Sequence, residues 1–234
     1  MAGHKKYTPI IIVNEEQMLT FDTLKKRHRN EREYYSEALS TRVHRSLSWL
    51  KKAKSCDDED SKFIFLWIAF NAAYAQEFEQ KVNYGERGLY QEFLTRLVEL
   101  DTENLLSHIV WHNYSGAIRS LLDNEFILES YWSYHAGRIT EGEWKAARSR
   151  SKIAANAALG QDNTASVLSI VFARLYTLRN QIIHGGATYG SSANRKQLRD
   201  CTNLLEKLLP TIIKVMMDSS NELWGDPVYP LIQD

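Results

Sequence analysis

The residue types best suited to chemistry cluster in one short segment, residues 178–186, with the sequence Leu-Arg-Asn-Gln-Ile-Ile-His-Gly-Gly. Arg179 falls within the apolar side of the helix predicted over this region, where a charged side chain is rarely tolerated without a partner. Two explanations are open. Arg179 either pairs with an acidic residue on a neighbouring helix, or it holds its guanidinium in a protected cleft where it binds phosphate.

The spacing of Arg179 and His184 limits how these two residues can act together. They are five residues apart, so an ideal helix directs their side chains roughly 140° away from each other. Their cooperation therefore requires that the turn loosens at residues 185–186, that Arg179 reaches along the helix surface, or that two copies of the chain meet in a dimer.

The helix predicted over residues 164–184 has two distinct sides. Its apolar seam recurs at spacings of three and four, as in a helical bundle. The opposite side, here called the small polar face, suits a groove or a dimer contact because small side chains let another backbone approach closely. An ordinary exposed face is the alternative. The seam contains Leu168, Val171, Leu175, Leu178 and Ile182, widened by Phe172, Tyr176 and Ile183, and the small polar face contains Ser166, Ser169, Ala173, Thr177, Asn180 and His184.

A second pair of candidate ligands, His108 and His112, lies four residues apart, a spacing that can present two imidazoles to one metal. No third ligand accompanies them, and the glutamate of an H-E-x-x-H motif is absent. The chain also lacks a Walker-type glycine loop, a dinucleotide fingerprint and a G-x-S-x-G elbow. We therefore predict no metal and no cofactor, and we interpret the two histidines as partly exposed surface residues.

The overall charge is balanced, with 29 Lys and Arg against 29 Asp and Glu, so no whole-molecule field attracts nucleic acid or an anionic membrane. Any contact with RNA must use a local patch. Residues 25–54 form such a basic block, with ten basic residues against three acidic ones, although a solvated face is the ordinary explanation for it. Cys56 and Cys201 stand outside any metal-ligand spacing, and no export signal is recognised. A reducing, cytoplasmic location is expected.

The elements that position these residues are predicted to be helices throughout. Four prolines and eleven glycines leave little punctuation for a many-stranded sheet. Residues 63–78 are apolar on every side, which predicts the most buried, central helix. That run is too short for a bilayer span, so no membrane association is predicted. Residues 25–54 are predicted to hold two helices, and further helices are predicted at 89–100, 104–112, 116–135, 142–158 and 194–217. Turns are predicted at Gly85, Gly137 and Gly160, and Pro210 is expected to interrupt the last helix. From Trp224 the chain is predicted to form an extended tail packed on the bundle.

Several of these features together resemble the HEPN family. They are the apolar helix with Phe-Asn-Ala-Ala-Tyr at residues 70–74, the late helix, Arg179 and Asn180 before His184, and the two glycines behind it. The similarity is nearest to the larger Apea-like members and covers residues 41–217. Residues 1–40 then form an N-terminal extension, partly extended and then helical, and residues 218–234 form the C-terminal tail. The resemblance implies an all-α, HEPN-like helical bundle with extra helices and a short extended N-terminal segment.

The resemblance also implies a metal-independent endoribonuclease, used in toxin, defence or RNA-processing systems and frequently homodimeric. RNA supplies its own nucleophile in the 2′-hydroxyl, so the protein mainly transfers protons and stabilises charge. In this scheme His184 is the general base or acid, Arg179 holds the phosphoryl oxygens, and Asn180 orients the imidazole or the phosphate. An antitoxin or a regulatory protein is a further expected partner.

The alternative is a noncatalytic module for dimerisation or for binding nucleic acid or a partner, in which Arg179 belongs to a structural ion pair. One structural observation separates the two hypotheses. Convergence of Arg179 and His184 on an open, basic cleft favours catalysis. A carboxylate buried against Arg179, with His184 sealed away, favours a structural role.

Overall fold

The computed structural model describes residues 19–74, 81–192, 195–222, 224–227 and 229, of which residues 81–90 are described by their backbone alone. The regular elements in this part of the chain are helices, which confirms the all-α class. They are α1 (Phe21–Glu31), α2 (Glu37–Lys54), α3 (Glu59–Tyr74), α4 (Lys81–Leu100), α5 (Leu105–His108), α6 (Ser115–Asp123), α7 (Glu129–His135), α8 (Glu141–Gly160), α9 (Thr164–Ile183) and α10 (Arg195–Asp218).

The central helix of the bundle is α10. It packs against α1, α2, α3, α4, α5 and α6, and 14 of its 24 residues are buried. In α3, 8 of 16 residues are buried, because α3 packs mainly against α2 and α10 and leaves Ile64 and Phe65 half-buried. Of the described residues 63–74, 7 of 12 are buried, the same fraction as in α10, and Trp67 and Phe70 lie in the core. That residues 63–78 form the most buried helix stays a prediction.

The start of α3 lies at Glu59, earlier than the predicted residue 63. The Oδ1 of Asp58 accepts a hydrogen bond of 2.8 Å from the backbone N–H of Ser61, so the acidic run ahead of the helix caps its first turn. The same hydrogen bond holds the pKa of the Asp58 carboxyl below its ordinary value. Residues 75–78, where the predicted helix was to end, lie outside the described residues.

Three other predicted boundaries are wrong. Gly85 lies inside α4 and not at a turn. The single helix predicted over residues 116–135 is divided into α6 and α7, because the chain is extended at Asn124, whose Oδ1 accepts a hydrogen bond from the N–H of Phe126. Pro210 does not interrupt α10, which continues through it to Asp218.

The described part of the tail is tied to the bundle through Arg42, a buried residue of α2. Its guanidinium donates to the backbone carbonyls of Ala73 at 3.0 Å, Gly225 at 3.1 Å and Asp226 at 2.8 Å. Burial lowers the pKa of Arg42 to about 10. Trp224 is buried and meets the ring of Phe93 edge to face. Residues 224–226 therefore contact the bundle, and the packing of the whole tail stays a prediction.

The N-terminal helix is part of the same bundle, since α1 packs against α2 and α10. Residue 40 lies inside α2, so within the described residues no break separates the predicted extension from the rest. Residues 1–18, where the short extended segment was predicted, lie outside the described residues. Across the described ranges, no helix combines the length and apolarity needed to cross a bilayer.

Candidate functional site

The motif residues lie at the C-terminal end of α9, where the helix stops in a regular way. His184 is the C-cap, and its N–H donates to the carbonyl of Asn180 at 3.0 Å. The N–H of Gly186 reaches back to the carbonyl of Gln181 at 2.7 Å, which closes a Schellman motif. Gly185 has a φ of +69°, a left-handed conformation that glycine adopts without strain. The helix end by itself accounts for both glycines.

This regular ending keeps Arg179 and His184 apart in angle. Because the backbone bonding stays helical as far as His184, the two side chains leave the helix about 140° apart. The turn does not loosen at residues 185–186. Of the three arrangements that would let the two side chains cooperate, a reach of Arg179 along the surface and a second copy of the chain remain.

Arg179 is half-buried, and within the described ranges it has no carboxylate partner. Its Nη1 donates a hydrogen bond of 2.8 Å to the Oδ1 of Asn180, and its guanidinium lies 6.0 Å from the centre of the Tyr176 ring, within range of a cation–π contact. Its Nε is buried without a hydrogen-bond partner. The ion pair with an acidic residue on a neighbouring helix is therefore not found in the described part of the chain.

Asn180 connects Arg179 with the side of the helix that carries His184. Asn180 and His184 are one turn apart, which places them about 40° from each other around the helix axis. Since Asn180 holds the guanidinium of Arg179, that group is directed along the helix surface toward the His184 side. Within the described residues no contact joins this guanidinium to the His184 ring, so the hydrogen bond turns Arg179 toward that side without bringing the two side chains together.

The surface around His184 is open and partly apolar. His184 is exposed, and so are Ile183, at 48 %, and Tyr189, at 75 % of its surface. The prediction that Ile183 belongs to the buried seam is wrong, because the last turn of α9 extends beyond the core that covers Leu175 and Leu178. Ile183 and Tyr189 therefore leave apolar surface exposed on either side of His184 in the sequence.

The loop that follows His184 is held against the start of α3. Arg195 forms a bidentate ion pair with Asp60, at 2.6 Å and 3.0 Å, and the side chain of Tyr189 hydrogen-bonds to Asp58. These contacts place the end of α9, the start of α10 and the start of α3 at one end of the bundle.

Most of the small polar face lines a groove of about 570 Å³ between α8 and α9. Ser166, Ser169, Ala173 and Thr177 line it, together with Arg174, whereas Asn180 and His184 do not. Arg174 is buried, and its Nη2 donates to the Oγ of Ser151 at 2.6 Å. The sequence interpretation missed Arg174, because its burial depends on α8. The only sequence signal was a charged residue at the edge of a face of small side chains.

The pair His108 and His112 is stacked, with ring centroids 4.8 Å apart, and both residues are exposed. The Nδ1 of His108 lies 2.8 Å from the Oδ1 of Asn113, at the point where α5 passes into a π-helical turn, Ile109–Asn113. Among the residues that the structure describes, no group of three His, Cys, Asp or Glu side chains is arranged to hold a metal ion.

Comparison of the chain with protein-family models, with curated proteins and with solved structures gives no match. The resemblance to HEPN domains is an expectation from the sequence, based on residues 70–74 and 178–186 and on the helices that carry them.

Proposed function

We propose that the protein is a metal-independent endoribonuclease of the HEPN type, with its site at the C-terminal end of α9. The observation that carries the proposal is the state of Arg179. Its guanidinium is bonded to Asn180 and has no carboxylate partner in the described ranges. The structural arginines of this fold bond to a carboxylate, as Arg195 does with Asp60, or to several backbone carbonyls, as Arg42 does, whereas Arg179 leaves its Nε without a hydrogen-bond partner. The exposed His184 stands one turn beyond Asn180.

In the proposed reaction the 2′-hydroxyl oxygen of RNA attacks the adjacent phosphorus, and the bond from phosphorus to the 5′-oxygen breaks. The products are a 2′,3′-cyclic phosphate and a 5′-hydroxyl, so one proton leaves the 2′-oxygen and one reaches the 5′-oxygen. His184 carries out one of these transfers, because imidazole exchanges protons near neutral pH. Arg179 stabilises the charge on the nonbridging oxygens, and Asn180 orients the guanidinium.

A homodimer is part of the proposal, because one His184 serves one proton transfer at a time. Two α9 ends that meet would supply the second imidazole, and Ile183 and Tyr189 would supply apolar area at the contact. An antitoxin or regulatory protein would compete for the same exposed end. A cytoplasmic location is also proposed, and the free thiols of Cys56 and Cys201 suit a reducing compartment.

A noncatalytic HEPN-like binding module is the second candidate. The observation that favours it is the exposed apolar surface of Ile183 and Tyr189, which serves a protein partner without any chemistry. In this case His184 has no role beyond ending the helix.

The test is cleavage of varied single-stranded and structured RNAs in the presence of chelator. His184→Ala should lower the cleavage rate by roughly 10²- to 10⁴-fold and leave the helical circular dichroism spectrum unchanged, since the side chain is exposed. His112→Ala removes another exposed histidine and should cleave like the wild type. Wild-type protein no more active than His184→Ala would remove the nuclease and leave the binding module.

A further inference from the structure

A groove of about 630 Å³ runs between α1 and α2. Four basic side chains line it, three from α1 and one from the end of α2: Lys25, Lys26, Arg29 and Lys51. His44 lies among them, and Asp22 is the only acidic residue in its described lining. The basic block of residues 25–54 is thus gathered into one concave surface.

The cations of this groove are not neutralised by the protein. None of the four forms an ion pair with a carboxylate in the part of the chain that the structure describes. Arg27 differs, because it pairs with Glu31 and with Asp218 of α10, away from the groove. The two sides of α1 therefore differ: Arg27 is ion-paired on the side facing α10, whereas Lys25, Lys26 and Arg29 line the groove without a carboxylate partner in the described residues.

Lys25 lies close to other cations of the groove. Its Nζ donates a hydrogen bond of 3.3 Å to the Nδ1 of His44. Partial burial, followed by the positive charges of Arg29, Arg32 and Lys51, lowers the pKa of Lys25 from its ordinary value. A bound anion would relieve this repulsion, because Asp22, the acidic residue in the described lining, forms no ion pair with these cations.

The spacing of the charges suits several anionic groups in series. Lys25 and Arg29 are one helical turn apart, about 6 Å along α1, and Lys51 extends the row on the facing helix. A single phosphate would meet only part of this row, whereas consecutive phosphates of one strand would meet all of it. The groove is concave, so the flat surface of a bilayer would touch only its rim.

Aromatic surface accompanies the charges. The Nζ of Lys51 lies 6.0 Å from the ring centre of Phe21. Phe21 is one of the residues that line the groove. A positive groove with an aromatic side chain in its wall is a usual means of holding single-stranded nucleic acid.

We propose that the α1–α2 groove binds the phosphodiester backbone of single-stranded RNA. The choice of RNA over DNA rests on the proposed function. The groove and His184 lie toward the same end of the bundle, because Lys51 is in the last turn of α2, α3 begins a few residues later, and Asp60 of α3 is paired with Arg195 in the element after His184. A strand bound along the groove runs toward that end.

The test is fluorescence anisotropy with a labelled, fully 2′-O-methylated single-stranded RNA, which has no free 2′-hydroxyl and is not cleaved. The combined variant Lys25→Gln, Arg29→Gln and Lys51→Gln should bind at least about 10-fold more weakly. Its slope of log affinity against log salt should also be shallower by about 2, since each lost phosphate contact on a single strand contributes roughly 0.7. The matched control removes three exposed cations of α8, with Lys145→Gln, Arg150→Gln and Lys152→Gln, and should bind like the wild type.

Equal losses in the two triple variants, an unchanged affinity in the groove variant, or no binding by the wild type would overturn the groove assignment. So would association with vesicles of 70 % phosphatidylcholine and 30 % phosphatidylserine in the absence of RNA binding. The two proposals fail separately. If the groove variant binds RNA more weakly but the wild type does not cleave ordinary RNA, only the nuclease proposal is rejected. If cleavage depends on His184 but the groove variant binds RNA as the wild type does, only the groove proposal is rejected.

Discussion

Arg179 and Asn180 are neighbours in sequence whose side chains are joined by a hydrogen bond of 2.8 Å, from Nη1 of the arginine to Oδ1 of the asparagine. In a regular helix consecutive side chains point about 100° apart, so this bond turns the guanidinium away from the direction in which Arg179 leaves the helix. The asparagine therefore decides where the charge of Arg179 is presented. That direction is the side of α9 that carries His184.

Replacing Asn180 tests this relationship. Asn180→Ala removes the acceptor and should lower the rate of RNA cleavage by about 10- to 100-fold, the range of a hydrogen bond to a charged group. Binding of the 2′-O-methyl RNA should stay close to that of the wild type, because the α1–α2 groove is untouched. Asn156→Ala removes an exposed asparagine of α8 and is the control. Full cleavage activity in Asn180→Ala would show that the bond has no part in the site.

Ile183 should hold two copies of the chain together if the α9 ends meet. Burying a side chain of this size contributes roughly 1.5–3 kcal/mol, so Ile183→Lys is expected to convert the dimer to a monomer in light scattering. Ile153, 66 % exposed on α8, provides the control Ile153→Lys, which should remain dimeric. A wild-type protein that is monomeric at high concentration would contradict the expectation.

Trp67 is expected to be among the most costly core positions. It is 1 % exposed and contacts the rings of Phe70, Phe172 and Tyr176. Trp67→Ala should lower the free energy of unfolding by about 3–5 kcal/mol in urea denaturation. Trp67→Phe should lower it less, because it keeps a large ring and removes a buried Nε1 that has no hydrogen-bond partner. Trp49→Ala, at an exposed position, should cost about 1 kcal/mol, and a similar loss at both positions would argue against the packing.

His28 should make the fold sensitive to acid. The residue is 2 % exposed, and its pKa is lowered from 6.5 to about 4, first by burial and then by the charge of Lys25, with His44 and Arg32 acting in the same sense. At a pH between these two pKa values, His28 is protonated in the unfolded chain and neutral in the folded chain. Stability should therefore fall as the pH falls from about 6.5 toward 4.

The variant His28→Leu removes this proton uptake, so its free energy of unfolding should depend less steeply on pH over the same window. His44 also has a lowered pKa, chiefly through burial, and its contribution of the same sign should persist. His112→Leu, at an exposed position, should leave the slope unchanged. A slope in His28→Leu as steep as in the wild type would show that His28 is not the group responsible.

Helix α9 was the most predictable element of the fold because its signals are local. Asn163 caps its start by accepting from the N–H of Ser166 at 2.9 Å, its seam repeats every three or four residues, and two glycines end it. The break between α6 and α7 has a local cause as well, in the side chain of Asn124. A single asparagine within an otherwise helical pattern was too weak a signal to predict it.

The central position of α10 could not be predicted from apolarity. α10 has a polar side that includes Asn203 and Lys207, both exposed, yet it lies at the centre because six helices pack on the remainder. How many helices pack against α10 depends on the folded chain and not on its local sequence. The burial of Arg174 could not be predicted for the same reason, because its partner Ser151 is 23 residues away on another helix. Arg179 and Asn180 could be recognised because they are adjacent residues of one motif.

The hydrogen bonds from Arg42 to the tail imply that one part of the fold forms late during synthesis. Helix α2 leaves the ribosome early, but two of the three carbonyls that receive its guanidinium come from residues 183 and 184 positions later. Before those residues emerge, burying Arg42 would leave donors unsatisfied, at about 1–3 kcal/mol for each group. In the nascent chain α2 should therefore be only loosely packed. The hydrogen bonds of Arg42 to the tail form once Asp226 has been translated and has left the exit tunnel.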